Sequence, residues 1–156
     1  MADGKSETSL EAGFIGLASI VRAVHGDWSA PAGSGYDGWS CHDLLAHLAS
    51  TEASLARIAT SSTEPPRPGA EPFDADRWNS SQVRKRKEAS EMDLLNEFDL
   101  GTTRLVEALS GMDLKKGVTI GPYVGMPLGE AMAEMLDHQR RHLDDLRTAL
   151  HKHPEG

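Results

Sequence analysis

The chain has 156 residues, 38% hydrophobic, 26% charged and only 5% aromatic, with a formal net charge of −8. That length suits one ordinary domain, and so few aromatic residues favour helices packed on helices over a β-sandwich. An acidic surface repels phosphate backbones and argues against nucleic acid as a partner. The one cysteine, Cys41, excludes an internal disulfide and fits a reducing compartment. The start Met1-Ala2-Asp3-Gly4-Lys5 lacks the basic-then-apolar pattern of a secretory signal. No stretch approaches the roughly 20 consecutive apolar residues of a membrane span. These features point to a soluble cytoplasmic protein that does not engage membranes.

Four periodic stretches predict an all-α protein, a four-helix bundle forming a single domain over residues 1–156. In the first, Leu10, Phe14, Leu17, Ala18, Val21 and Val24 recur at steps of three and four, the spacing of one helical stripe. Ser9 or Thr8 would cap its start, and Gly26 lies just past its end. Trp28 to Gly38 is rich in Ser, Pro and Gly and reads as a loop. The second helix opens on Ser40 and Asp43, a capping-box pattern. Its buried stripe is Leu44, Leu48, Thr51, Leu55 and Ile58, with His47 on the flank. Pro65, Pro66, Pro68 and Pro72 then enforce an extended surface loop.

The third helix is read as one long element from about Asp76 to Gly111. Leu94, Leu95, Phe98, Leu105, Val106 and Leu109 mark its second half, and Trp78, Val83 and Lys87 continue the stripe backwards. Residues 115–126 hold three Gly and one Pro and predict an irregular connection. Pro127 suits the first turn of a fourth helix, where a missing N–H is no loss. Leu128, Ala131, Met132, Met135, His138, His142, Leu146 and Ala149 define its inward face.

His138 and His142 stand four residues apart, so their side chains are neighbours on one helix face. They share the stripe of Met135 and Leu146, and inward imidazoles need partners because unpaired buried polar groups are costly. A metal ion satisfies both, and His47, projecting from another helix, is the natural third ligand. Three protein ligands with an open position is the pattern of catalytic zinc; nickel, iron or manganese suit the same set. A single core-facing histidine is more often a hydrogen-bonded structural residue, and it is the pair plus the third histidine that favours metal. His25, His42, His151 and His153 read as solvated. The run His138-Gln139-Arg140-Arg141-His142 lacks the Glu that follows the first His in zinc proteases, which argues against a peptidase.

Glu134, Asp137 and Asp145 flank the pair, each a candidate to orient an imidazole or accept a proton and each also readable as plain surface charge. Glu134 is the weak catalytic candidate among them. Cys41 reads as a buried inert thiol. In the run Arg84-Lys85-Arg86-Lys87, four successive residues point all around a helix. Surface solvation is the default, with one of them, Arg84 for instance, a candidate to reach a cavity mouth and meet an anionic substrate.

The run Trp39-Ser40-Cys41-His42-Asp43-Leu44-Leu45-Ala46-His47-Leu48 resembles the DinB-like superfamily. It is most similar to the N-terminal domain of mycothiol-dependent maleylpyruvate isomerases. His138 and His142 match the two further ligands of that family's last helix, and Asn79 and Arg84 extend the likeness to the third. The resemblance implies an up-up-down-down bundle, a metal held by His47, His138 and His142, and a homodimer. It also implies low-molecular-weight thiols such as mycothiol, bacillithiol or glutathione as substrates. In the isomerase the first ligand of the last helix is acidic, whereas here it is His138, as in the general three-histidine members. The chain stops soon after its fourth helix, so the isomerase's additional C-terminal domain is expected to be absent.

The leading functional expectation is a metal-dependent enzyme on a small molecule, a thiol-dependent transferase. The alternatives are a hydrolase using metal-activated water, and a non-catalytic metal-binding or stress-related bundle.

Overall fold

The computed structural model describes residues 2–66, 68–69 and 71–152, with side chains from residue 9 onward. Five α-helices follow in order: α1 (Ala2–Arg22), α2 (Cys41–Thr60), α3 (Ala75–Lys85), α4 (Glu91–Leu109) and α5 (Leu128–Lys152). A 3₁₀ turn, Ser61–Thr63, extends α2. No strand forms among the described residues, only the isolated bridges Pro31–Ser40 and Gly117–Pro127.

Each helix that builds the site starts where local chemistry dictates. At α2, Ser40 accepts a hydrogen bond from the Asp43 N–H, and Asp43 accepts one from the Ser40 N–H, so the expected capping box is complete. α1 runs unbroken from Ala2, so Ser9 and Thr8 lie within it rather than at its start. Pro127 stands immediately before α5 rather than in its first turn, and its carbonyl accepts the Ala131 N–H at 2.9 Å.

The expected long third helix is two helices. Asp74 caps α3 by accepting from the Arg77 N–H, and α3 ends at Lys85. The chain turns through Arg86–Ala89, and Ser90 caps α4 by accepting from the Asp93 N–H at 3.0 Å. A capped start outcompetes continuation here because Lys87 offers the core nothing apolar. His42 holds the turn: its Nε2 lies 2.7 Å from the Ala89 carbonyl, so this histidine is engaged rather than solvated. Arg86 clasps Glu97 across the turn through two nitrogens, at 2.8 and 2.6 Å.

α2 packs against α3, α4 and α5, and α1 against α4 and α5. Phe14, Leu44, Leu48, Leu55, Leu94, Phe98, Leu105, Leu128, Met132 and Leu146 are fully buried between them, so the core is complete in protein atoms alone. α2 and α4 meet at Gly101, where a Cβ would come within 2.8 Å of the Glu52 carbonyl carbon and oxygen. Residues 115–126 are irregular as expected. They are pinned to the end of α2 by Thr119, whose N–H and hydroxyl both bond to Ser61 at 2.9 Å.

Because Gly101 has backbone against it, Gly101→Ala should force α2 and α4 apart and cost roughly 1–3 kcal/mol in urea unfolding. Gly16, also helical, has open space around its Cβ position. Gly16→Ala should instead stabilise by about 0.5–1 kcal/mol. Equal effects of the two would show that the close crossing is not what demands glycine.

Candidate metal centre

The three histidines expected to converge do so. His47 sits two turns into α2, and His138 and His142 lie on successive turns of α5 where it packs on α2. One ligand nitrogen from each ring lies within 4.8 Å of the other two. His47 is buried and the other two are half-buried. Their next neighbours on α5, Gln139 and Leu143, are buried more deeply than they are.

The hydrogen bonds around the rings decide which nitrogens face the centre. Tyr36, from the loop before α2, donates its hydroxyl hydrogen to Asp145 at 2.5 Å. Its oxygen lies 2.6 Å from His142 Nδ1, so that nitrogen is the donor and Nε2 carries a lone pair. On the other side, Gln139 spends its amide N–H groups on the Leu48 carbonyl at 3.1 Å and on Glu52 at 3.0 Å. Its oxygen is left to accept from His138 Nδ1 at 3.3 Å, which again leaves a lone pair on Nε2. These two Nε2 atoms stand 3.1 Å apart. Two lone pairs at that distance repel unless a cation lies between them. His47 Nδ1, in addition, is buried with no hydrogen-bond partner.

A divalent metal fits this donor set. Tetrahedral zinc at about 2.0–2.1 Å from each nitrogen places its ligand atoms about 3.3 Å apart, close to the His138–His142 separation. The imidazoles are also held in the neutral form that ligation requires. Burial pushes His47 down to about 3, and the neighbouring His142 and His138 add to it. Burial likewise lowers His142 to about 4, with His138 contributing, and it lowers His138.

Tyr36 and Trp39 wall the site on its loop side. Their rings stack with centroids 6.3 Å apart, and Trp39 lies 5.5 Å from the His47 ring. Gly38, at φ 79°, makes the turn that delivers Trp39. Opposite, a cleft of about 580 Å³ runs from His138 between α2, α3 and the 120–123 segment. Asn79 lines it.

Other expected residues fall elsewhere. Glu134 is exposed and lines neither the cleft nor the histidine cluster. Of the basic run expected to send one residue to a cavity mouth, it is Arg86 and not the exposed Arg84 that lines the cleft, together with Arg57. Asp137 is exposed and pairs with Arg141 at 3.5 Å. Asp145 meets His142 through Tyr36, and its charge also acts on that imidazole directly, opposing part of the lowering by burial. Cys41 is buried, with its thiol pKa raised by burial, as an inert thiol should be. His25 and His151 are exposed, and His153 lies outside the described residues. Sequence reasoning missed Tyr36, Gln139 and Glu52. The one available signal for the last two was their polarity at positions that the helical period turns inward.

All-helical, with three histidines converging from two helices, the chain has the make-up of a DinB-like protein. Residues 10–147 match the family of the mycothiol maleylpyruvate isomerase N-terminal domain, and the chain belongs to that family. No curated protein and no solved structure matches it.

Glu52 is fully buried, held by Thr102 at 2.6 Å and by Gln139. Burial raises its pKa from 4.5 to about 7, because these two hydrogen bonds only partly offset desolvation. A raised carboxyl binds its proton more tightly folded than unfolded. Its stability contribution is therefore complete below pH 4.5 and lost as the pH rises through about 7. Glu52→Gln keeps the shape and removes the titration. The stability of wild type relative to this variant should fall by on the order of 3 kcal/mol at most between pH 4 and 8. Parallel pH profiles for the two proteins would contradict this.

Proposed function

We propose that the chain is a metal-dependent enzyme acting on a small molecule, with a low-molecular-weight thiol as one reactant. The observation that carries this reading is the pair of opposed Nε2 lone pairs on His138 and His142, 3.1 Å apart, with His138 itself lining an open cleft. His47, His138 and His142 would hold a divalent ion, zinc or nickel before iron or manganese. Such an ion supplies Lewis acidity, which lowers the pKa of a thiol or water brought to it.

The chain's own residues do the rest. Tyr36 and Gln139 fix two of the imidazoles, so little reorganisation is needed when a cation arrives. Trp39 and Tyr36 exclude water from the loop side of the site. The cleft admits a reactant from the other side, toward His138.

A thiol suits this site better than hydrolysis. Water holds its proton far more tightly than a thiol, so a hydrolytic centre has the greater need of a base. The expected carboxylate, Glu134, does not line the cleft, although its charge reaches Tyr123 there. Glu52 is sealed among Thr102, Gln139 and the α2–α4 crossing. Membership of a family defined by a mycothiol-dependent enzyme points to the same chemistry.

In cobalt-substituted protein, mycothiol, bacillithiol or glutathione should produce a sulfur-to-cobalt charge-transfer band. The band should persist in Cys41→Ser, since Cys41 is buried away from the cluster. An unchanged spectrum with all three thiols would remove the transferase reading.

A further inference from the structure

We infer that the cleft that opens at His138 takes a small carboxylate with an apolar body, and that Arg57 holds the carboxylate group. This deepens the proposed function, on which it rests for the reacting end of the site, by giving the chemical class of the second reactant.

The wall of the cleft sets the body of the ligand. Phe73, Trp78, Ile120 and Tyr123 give it apolar and aromatic faces, and Met135 and His138 line it beside the cluster. A volume of about 580 Å³ is within the range of small-molecule pockets.

Charge sets the head group. The chain carries 24 acidic and 16 basic residues, yet two arginines and no Asp or Glu line this cleft. The arginines are not equivalent. Arg86 is committed to the fold: it bonds Glu97 twice and reaches the Gln82 carbonyl and side-chain oxygen at 3.2 and 2.8 Å. Arg57, exposed in the last turn of α2, makes no ion pair or side-chain hydrogen bond among the described residues. The dipole of α2 accounts for a cation in its last turn, but not for a lining without Asp or Glu, since Glu97 is spent on Arg86 and Glu134 and Asp137 act on Tyr123 from outside the wall. A planar guanidinium with unused N–H groups is matched by a carboxylate, which it grips through two parallel hydrogen bonds.

The helix also sets the length. Arg57 follows His47 by ten residues, a rise of about 15 Å along α2. Helical side chains lean toward the N-terminus, so the guanidinium closes part of that gap. A ligand bridging the two ends therefore needs an extended body between its carboxylate and its reacting atom, not a two- or three-carbon acid.

Calorimetric titration of the zinc-loaded full chain with 4-phenylbutyrate and its neutral amide tests this. The acid should bind about tenfold more tightly than the amide. Arg57→Gln, which changes an exposed side chain, should reduce that preference to less than about threefold and leave the amide's affinity in place. His142→Ala should retain the preference. Equal affinity for acid and amide, or no binding of either, overturns the inference. So does a preference that survives Arg57→Gln but disappears in His142→Ala, since the carboxylate would then sit on the metal. An acid preference that depends on Arg57 in a chain that fails to hold zinc would instead sink the metal reading and keep this one.

Discussion

Two imidazole nitrogens pointed at each other across 3.1 Å organise this molecule's site. Neither His138 nor His142 can turn its other nitrogen inward, because Gln139 and Tyr36 hold those nitrogens as donors. Side chains on successive turns of one helix would come near each other anyway. What the surrounding bonds add is orientation, and it sets like against like. An arrangement that is unfavourable when empty and favourable around a cation is how a protein stores preference for a metal in its fold.

The rest of the structure keeps that arrangement in place. Gln139 can act on His138 only because its amide is anchored on the α2 backbone and on Glu52. Glu52 in turn tolerates full burial because Thr102 of α4 reaches it, and Thr102 gets there because Gly101 lets α4 lie against the α2 backbone. The chain from the glycine crossing to the imidazole is thus continuous. On the opposite side the support is a loop, tied down by the Pro31–Ser40 bridge and by the Cys41 N–H bond to the Ala30 carbonyl at 2.7 Å. One wall is rigid core and the other a hydrogen-bonded strap.

Much of this was legible in the sequence, for reasons that can be stated residue by residue. The apolar stripes of α2 and α5 follow the helical period, so His47, His138 and His142 could be placed on inward faces before any coordinates. Ser40 and Asp43 announced the start of α2. The same Ser-x-x-Asp pattern recurs at Ser90–Asp93 and marks the break that a single long third helix overlooked. Tyr36 was not legible, because its partner His142 lies 106 residues away and no periodicity links a loop to a helix. Arg57 was not legible, and within the basic run Arg86 rather than Arg84 is the residue that meets the cleft. Which basic residue meets the cleft depends on how α3 leans on α2, and a linear pattern does not encode that angle.

Family membership agrees with this physical account, and the account makes its own demand on the protein. If the opposed lone pairs exist to receive a cation, the folded chain must bind one without being asked to rearrange. The most direct measurement is metal stoichiometry by elemental analysis of protein purified without an affinity tag and re-equilibrated with zinc. The account predicts about one ion per chain for wild type and for His25→Ala, whose histidine is exposed and remote, and a loss of stoichiometric binding in His142→Ala. A wild-type chain that stays metal-free, or one that holds its ion equally well without His142, would contradict it.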